Sequence, residues 1–335
     1  MTTLPGDAST LNDFGEGTTP EPGTAAAKTI EGRSLTQIAW SRLKKDKVAM
    51  GAGVVVLVLV VIAILAPLLA NLAGAGDPTT QYMDNINPDT SMPMGAMGGM
   101  SGDHLLGIEP VNGRDVLSRV LYGSRISLLI ATAASLLSLV IGITLGVVAG
   151  YFRGWVDAAI SRVMDVFLAF PLLLFALALA AIVPDTFFGM TGDTLRIAML
   201  VFIIGFFGWP YAGRIVRGQT IALREREFVD AARVLGAKPR RIIVRELMPN
   251  LVAPILVYGT LLIPANILFE AALSFLGVGI RPPTPSWGKM LNDAIQYYRV
   301  DPEYLIVPGA AIFITVLAFN LFGDGLRDAF DPKAH

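Results

Sequence analysis

Six long apolar stretches constrain this chain of 335 residues more than any other feature. Each is long enough to cross about 30 Å of hydrocarbon as an α-helix, which rises about 1.5 Å per residue. With 53% hydrophobic residues, 16% charged residues and a mean hydropathy of +0.60, the chain is too apolar for a soluble protein of this length. We therefore predict an all-α, polytopic membrane protein with six transmembrane helices. The spans run approximately over residues 48–70, 126–150, 161–183, 196–216, 251–277 and 304–323.

The positions of lysine and arginine predict how these spans are oriented, because basic residues concentrate in cytoplasmic loops. A basic cluster at residues 42–47 precedes the first span, and a second set lies in the loop 217–250. Residues 184–194, on the opposite predicted side, contain neither lysine nor arginine. We therefore predict a multi-pass membrane protein, with both termini and the loop 217–250 in the cytoplasm.

Several kinds of chemistry are excluded by residue content. The chain has no cysteine, so it has no disulfide, thiolate metal site or cysteine nucleophile. Its histidines are His104 and His335, which is too few for a histidine-rich zinc site. No G-x-x-x-x-G-K-[ST] phosphate loop occurs. We therefore predict no metal, no cofactor and no enzymatic activity, and any energy for active transport would have to come from a partner or an ion gradient.

The composition divides the chain into four segments. Residues 1–32 are rich in Thr, Gly, Pro and acidic residues and predict a disordered cytoplasmic tail. Residues 33–110 hold an amphipathic segment, the first transmembrane helix and an extracytoplasmic loop. Residues 111–325 hold the other five transmembrane helices and the loop 217–250, and residues 326–335 form a cytoplasmic tail.

The extracytoplasmic loop between the first two spans contains five methionines among Gly, Pro, Asp and Asn. Thioethers bind Cu(I), so a soft-metal site is one interpretation. A flexible, low-order loop is the interpretation that the composition favours. The end of the loop, residues 114–127, predicts an amphipathic helix lying on the outer surface. The methionines are Met83, Met92, Met94, Met97 and Met100.

The loop 217–250 has the pattern of a structured insert. Four small or apolar residues recur at helical spacing between charged ones, and Gly236 then provides a stop signal. A second short helix is predicted from Arg240 to Leu247, ending before Pro249. Apolar anchors beside small residues are typical of a helix that binds in a partner's groove. The four residues are Phe228, Ala231, Ala232 and Leu235.

Three interpretations of this insert compete. An ordinary cytoplasmic loop rarely combines stop signals, small-residue pairs and apolar anchors. A DNA-reading helix-turn-helix would need access to a major groove, and tethering between two nearby spans argues against nucleic acid. The third interpretation is a coupling element for a cytoplasmic motor.

The insert resembles the "EAA" loop, E-A-A-x3-G-x9-I-x-L-P, of permease subunits in binding-protein-dependent ABC importers. Ala231, Ala232, Gly236 and Pro249 match at the family spacing. Three positions depart from the pattern, where Asp230 replaces Glu, Glu246 replaces Ile and Met248 replaces Leu.

Further motifs narrow the resemblance to the C-type permease of the dipeptide/oligopeptide/nickel importers. In the family's run H-x-L-G-T-D-x-x-G-R-D, this chain has Ile108 and Glu109 in place of Thr and Asp, and one extra residue before Gly113. The matching stretches are residues 104–107, 113–119, 122–128, 270–277, 282–288 and 318–328.

The resemblance implies the type I ABC importer permease fold, a location in the bacterial inner membrane and a set of partners. These are a B-type sister permease, two ATPase subunits, an extracytoplasmic substrate-binding protein and a peptide substrate. The ATPase would bind the insert at Phe228, Asp230, Ala231, Ala232, Leu235, Gly236, Glu246 and Pro249.

Glu270 is predicted to lie within the fifth span, where a carboxylate is costly and usually functional. It either belongs to the substrate path or makes a structural contact with the sister permease. The same residue is the only support for an alternative function, an ion-coupled secondary transporter. A protease function, based on Gly323-Asp324-Gly325, lacks a second intramembrane aspartate at a matching position.

Overall fold

The computed structural model describes residues 35–182, 186–187 and 189–330, and the predicted tail at 1–32 lies outside them. Within these ranges the regular structure is helical apart from one short antiparallel hairpin. A 3-10 turn spans Met83–Asn85 and a π-helix spans Ile242–Leu247. The helices are α1 (Leu35–Leu43), α2 (Lys47–Leu72), α3 (Val116–Phe152), α4 (Gly154–Ala169), α5 (Leu172–Ile182), α6 (Gly192–Arg224), α7 (Glu227–Val234), α8 (Pro239–Arg241), α9 (Met248–Phe275), α10 (Trp287–Ala294) and α11 (Pro302–Phe330), and the strands are β1 (Thr186–Phe187) and β2 (Met190–Thr191).

Among the described residues, five helices are long and apolar enough to span a membrane, and a sixth span is present if the bent pair α4–α5 is counted as one. The expectation of one helix over 161–183 is wrong, since the two segments meet at an angle of 73°. Phe170, between them, has extended backbone at φ −76° and ψ 130°. Pro171 explains the break, because proline lacks an N–H and disfavours helical geometry in the residue before it.

The second span begins earlier than the hydropathy predicts. The separate surface helix expected at 114–127 is wrong, because α3 is continuous from Val116. Asp115 caps its N-terminus by accepting a 2.8 Å hydrogen bond from the Ser118 amide. At the other end of the chain, α11 continues to Phe330, past the predicted start of a tail at residue 326.

Helices α3 and α6 pack backbone to backbone along their length and run in the same direction. Three glycines of α3, spaced four residues apart, face α6. A methyl group added to Gly146 would lie 2.6 Å from the Gly213 carbonyl oxygen, and one added to Gly142 would lie 2.6 Å from Ala212 Cβ. A methyl group added to Gly150 would lie 2.7 Å from Thr220 Cβ. Small residues permit such close approach, which is the usual basis of helix association in membranes.

Packing contacts define two ends of the bundle. At one end, the start of α3 and the start of α11 pack with α10 through Val116, Met290 and Tyr304. At the other end, α1 and the start of α2 pack against the end of α11. The end of α3 lies opposite its start, and there it packs with α7 and the π-helix. Because α3 and α11 run in the same direction, α1, α7 and the end of α11 share one end of the molecule.

Residues 73–115 form a compact, turn-rich cap on the first of these ends, in place of the low-order loop that composition predicts. Glu109 is nearly fully buried at its centre and binds two arginines. Arg114 Nε donates to Glu109 at 2.6 Å, and Arg119 Nε lies 2.8 Å from the other carboxylate oxygen. Arg119 also donates to the Pro283 carbonyl oxygen at 3.1 Å. This buried ion network joins the cap to α3 and to the segment before α10.

We predict that Gly146→Ala destabilises the subunit by about 1–3 kcal/mol, the usual cost of overpacking, because its methyl group meets backbone rather than a movable side chain. Gly218→Ala in α6 is the matched control, since no described atom beyond the adjacent backbone of α6 lies within 4 Å of the added carbon. That control should be neutral or stabilising by up to about 1 kcal/mol. Thermal unfolding in detergent measures both, and equal melting temperatures would contradict the close α3–α6 contact.

Candidate functional site

Helix α7, in the insert between α6 and α9, is seated on the chain by one apolar face. Val229 is fully buried and Ala232 is partly buried beside it. They pack against the end of α3, at Val147 and Tyr151, and against Leu247 of the π-helix. Burial of a side chain such as Val229 contributes about 1.5–3 kcal/mol, so α7 has a fixed position on the end of the bundle.

The opposite face of α7 is apolar and exposed. Val234 and Leu235 are 87% and 86% accessible, and Phe228 is 38% accessible. Ala231 is exposed on the same side. An isolated helix of eight residues gains nothing from presenting valine and leucine to water, so this face is built to be covered by another surface.

Gly236 ends α7 in the left-handed conformation, with φ +78°. An added Cβ at this position would meet nothing within 4 Å. The requirement for glycine is therefore conformational, because a left-handed residue with a side chain costs about 1–2 kcal/mol. The Gly236 amide donates to the Arg233 carbonyl oxygen at 2.9 Å and closes the helix end.

The predicted residues do not all share one surface. Phe228, Ala231 and Leu235 are exposed together, whereas Ala232 packs on the chain itself. Asp230 pairs with Arg233 at 2.7 Å across one turn of α7. Sequence periodicity did not identify Val229 as a buried anchor or Val234 as an exposed residue. Both faces of α7 are apolar, and the spacing of apolar residues does not show which face packs against the rest of the chain.

The second helix of the insert differs from the prediction. It does not end before Pro249, since Pro239–Phe275 is one continuous helical segment that passes through the π-helix. Glu246 lies in the π-helix and Pro249 lies in the first turn of α9. The π-turn accommodates Pro249, which cannot donate the next helical hydrogen bond.

A basic cleft of about 410 Å³ opens beside α7. Four cationic side chains line it, and no acidic residue of the described chain forms an ion pair with them. The cleft is positively charged and complements an acidic surface. Its lining residues are Lys238, Arg240, Arg241, Val244 and Arg245.

Ion pairs fix the helices that carry the insert. Arg217 of α6 pairs with Asp157 of α4 through two hydrogen bonds of 2.5 and 2.7 Å. Asp165 lies 2.5 Å from Arg214 and 3.8 Å from Arg162, so its closer partner is on α6 and not on its own helix. These contacts tie the broken third span to the helix that leads into α7.

Glu270 is fully buried within the chain. Its carboxylate accepts hydrogen bonds from Ser127 at 2.9 Å and from Ser274 at 2.7 Å. Ser127 Oγ in turn accepts from the Trp287 amide at 3.3 Å. Glu270 thus connects α9, α3 and α10 inside one subunit, which fits a structural role better than a position on the substrate path.

Comparisons with known proteins agree with this architecture. The sequence profile of the binding-protein-dependent transport system inner membrane component matches residues 142–335. The profile of the N-terminal TM domain of oligopeptide transport permease C matches residues 34–93. The chain therefore belongs to the family of inner membrane components of binding-protein-dependent transport systems, and it is a permease subunit of the C type.

Curated relatives cover nearly the whole length. The dipeptide transport system permease protein DppC of Alkalihalophilus pseudofirmus is 40% identical over 295 residues, which is 88% of this chain and 89% of the relative. The glutathione transport system permease protein GsiD of Pectobacterium atrosepticum is 40% identical over 294 residues, 88% of this chain and 90% of the relative.

The fold is shared with a solved transporter. A chain of the MetNI methionine ABC transporter, in an inward-facing conformation, superposes with a TM-score of 0.51 at 18% identity. The match covers 64% of this chain and 96% of that one. It confirms the predicted fold of an ABC importer permease.

We predict that Glu270→Ala lowers the yield of folded subunit, because two serine hydroxyls lose their buried acceptor at a cost of about 1–3 kcal/mol each. Glu270→Gln keeps an acceptor oxygen and should retain most folded protein and most transport. Size-exclusion yield and solute uptake measure the two effects. Normal folding with strongly reduced uptake in Glu270→Gln would assign Glu270 to the substrate path instead.

Proposed function

We propose that this permease subunit forms half of the translocation pathway of an ATP-driven peptide importer and is coupled to an ATPase subunit through α7. The single observation that carries the coupling role is the exposed apolar face of Phe228, Ala231, Val234 and Leu235 on a helix whose other face is anchored. A helix fixed on one side and apolar on the other transmits force when its free face binds a moving partner.

The ATPase is expected to carry an apolar groove with acidic residues at its rim. The groove would receive Val234 and Leu235, and the rim would meet the basic cleft lined by Arg240 and Arg245. Apolar anchors supply the affinity of such an interface, whereas complementary charge supplies orientation and rate of association.

Peptides are the proposed cargo. The supporting observation is that one relative is named for dipeptide transport and another for glutathione transport, and glutathione is itself a tripeptide. A sister permease would complete the pathway, and an extracytoplasmic binding protein would deliver the peptide. An ion-coupled mechanism is not favoured, because Glu270, the only intramembrane acid that supported it, is already bound by Ser127 and Ser274.

The insert is proposed to face the cytoplasm. Its basic residues support this orientation. Packing also places α7 at the same end of the molecule as α1 and the end of α11, as expected for a chain with both termini on the side of the ATPase.

We predict that Leu235→Asp weakens association with the ATPase subunits by at least about tenfold, because it places a charge in an apolar contact. Leu235 is 86% exposed, so the substitution should leave the melting temperature of the subunit unchanged. Co-purification with the tagged ATPase from a co-expressed complex measures the association.

Ala222→Asp is the matched control for that experiment. Ala222 is also exposed and lies at the same end of the molecule, on α6 instead of α7. It should co-purify with the ATPase as the unmodified chain does. Equal ATPase recovery with Leu235→Asp would contradict the docking role of α7.

Cargo is tested with the complete transporter in proteoliposomes. We predict ATP-dependent uptake of a labelled tripeptide that excess unlabelled dipeptide or tripeptide reduces. Uptake that requires an ion gradient and proceeds without ATP would contradict the proposed mechanism. ATP-dependent uptake of other solutes but not of peptides would contradict only the cargo.

A further inference from the structure

A second site lies at the end of the molecule opposite α7. The methionine-rich loop and the turn before α11 enclose a cleft of about 240 Å³. Neither the family resemblance nor the coupling role accounts for it. Its lining residues are Met92, Pro93, Gly95, Met97, Gly98, Val300, Asp301, Pro302 and Glu303.

Asp301 is the unusual member of this lining. It is only 2% accessible, yet neither carboxylate oxygen has a partner with hydrogen-bond geometry among the described residues. An unpaired buried carboxylate is costly. Burial raises the pKa of Asp301 to about 6, and the negative charge of Glu303 contributes in the same direction. The Tyr304 amide, in the first turn of α11, acts in the opposite direction. It lowers the pKa of Asp301 and so offsets part of the cost of burying the charge.

The rest of the cleft is suited to an aliphatic chain. Two thioether side chains, Met92 and Met97, and the apolar side chains of Pro93 and Val300 surround the carboxylates. Methionine adapts its shape to flexible partners. A cationic head on a methylene stem matches this arrangement, because the head would pair with the carboxylates while the stem packs on the thioethers.

A hard metal ion matches the site less well. Among the described residues, no group of three or more His, Asp or Glu side chains is placed to hold one. The carboxylates of Asp301 and Glu303 supply too few ligands for a hard cation, which takes six or more oxygens.

We propose that this cleft binds a lysine or arginine side chain presented by the extracytoplasmic substrate-binding protein. The identity of the partner rests on the proposed function, whereas the chemistry of the ligand rests on Asp301, Glu303, Met92 and Met97 alone. The protonated amine or guanidinium pairs with Asp301 and Glu303, and no covalent step is involved.

The chemistry is tested first with a small probe. The purified transporter in lipid nanodiscs, labelled at the methionine methyl carbons, is titrated with n-butylammonium and observed by NMR. We expect the Met92 and Met97 signals, assigned by leucine substitution, to shift with n-butylammonium and not with n-butanol.

Asp301→Asn should reduce the apparent affinity for n-butylammonium at least tenfold. Asp89→Asn, an exposed residue of the same loop, should leave it unchanged. Absent shifts, or equal shifts in Asp301→Asn, would overturn the site.

The titration also has a pH dependence whose sign follows from the chemistry. Binding should weaken as pH falls below about 6, because protonation removes the charge of Asp301. The raised pKa also affects the stability of the free transporter. As pH rises from about 4 through about 6, Asp301 ionises less readily in the folded state than in the unfolded state, so the free energy of unfolding falls. Asp301→Asn should therefore raise the melting temperature more at pH 7.5 than at pH 4.5. An equal effect at both values would show that Asp301 is already paired.

The source of the cation is tested separately. The binding protein, added in place of n-butylammonium, should shift the same two methyl signals and bind Asp301→Asn at least tenfold more weakly. A tripeptide with a free amino terminus should not shift them. Shifts caused by the tripeptide but not by the binding protein would overturn the assignment to the partner. The n-butylammonium result is independent of ATPase binding and transport, so it stands or fails apart from the proposed function.

Discussion

The close contact between α3 and α6 is the constraint on which the rest of the structure depends. Glycines 142, 146 and 150 bring two parallel helices together without intervening side chains. In a bilayer the hydrophobic effect does not hold helices together, so dispersion between such closely packed backbones does so together with interhelical hydrogen bonds, such as that from Ser138 Oγ to the Gly205 carbonyl oxygen at 2.7 Å. The helix that leads into α7 therefore cannot move independently of the second span. Displacement of α7 by a partner would move α3 and α6 as one body.

Buried acids at the end of the bundle near α10 follow a consistent rule. Glu109 is satisfied by Arg114 and Arg119, and Glu270 by two serines. Each of these networks connects α3 to the segment around α10. Buried acids with complete sets of partners rigidify a structure rather than provide chemistry. Asp301 departs from this rule, because among the described residues its carboxylate oxygens have no hydrogen-bond partner, and its cleft can therefore accept a ligand.

Sequence reasoning predicted the elements that depend on hydropathy and composition. The first span, expected at 48–70, is α2 at Lys47–Leu72, and the stop at Gly236 ends α7 in the left-handed conformation. It failed where the result depends on geometry. A hydropathy window does not register the bend at Pro171, and spacing on α7 does not reveal that Val229 is the buried anchor. The importance of Glu109 was also hidden, because the sequence shows a departure from the family pattern but not the two arginines that compensate for it.

The two candidate sites lie at opposite ends of one packed unit, and this bears on how binding at each end is linked. The cleft at Asp301 adjoins the start of α11, whose end packs with α1 and α2 on the side of α7. Helix α9 joins the insert at one end to Glu270 at the other, where it is bonded to α3. A partner at either end thus contacts helices that extend to the other end. Two ligands influence each other when both bias the same conformational equilibrium, and continuous helices locked by glycine contacts supply the mechanical element that such linkage requires.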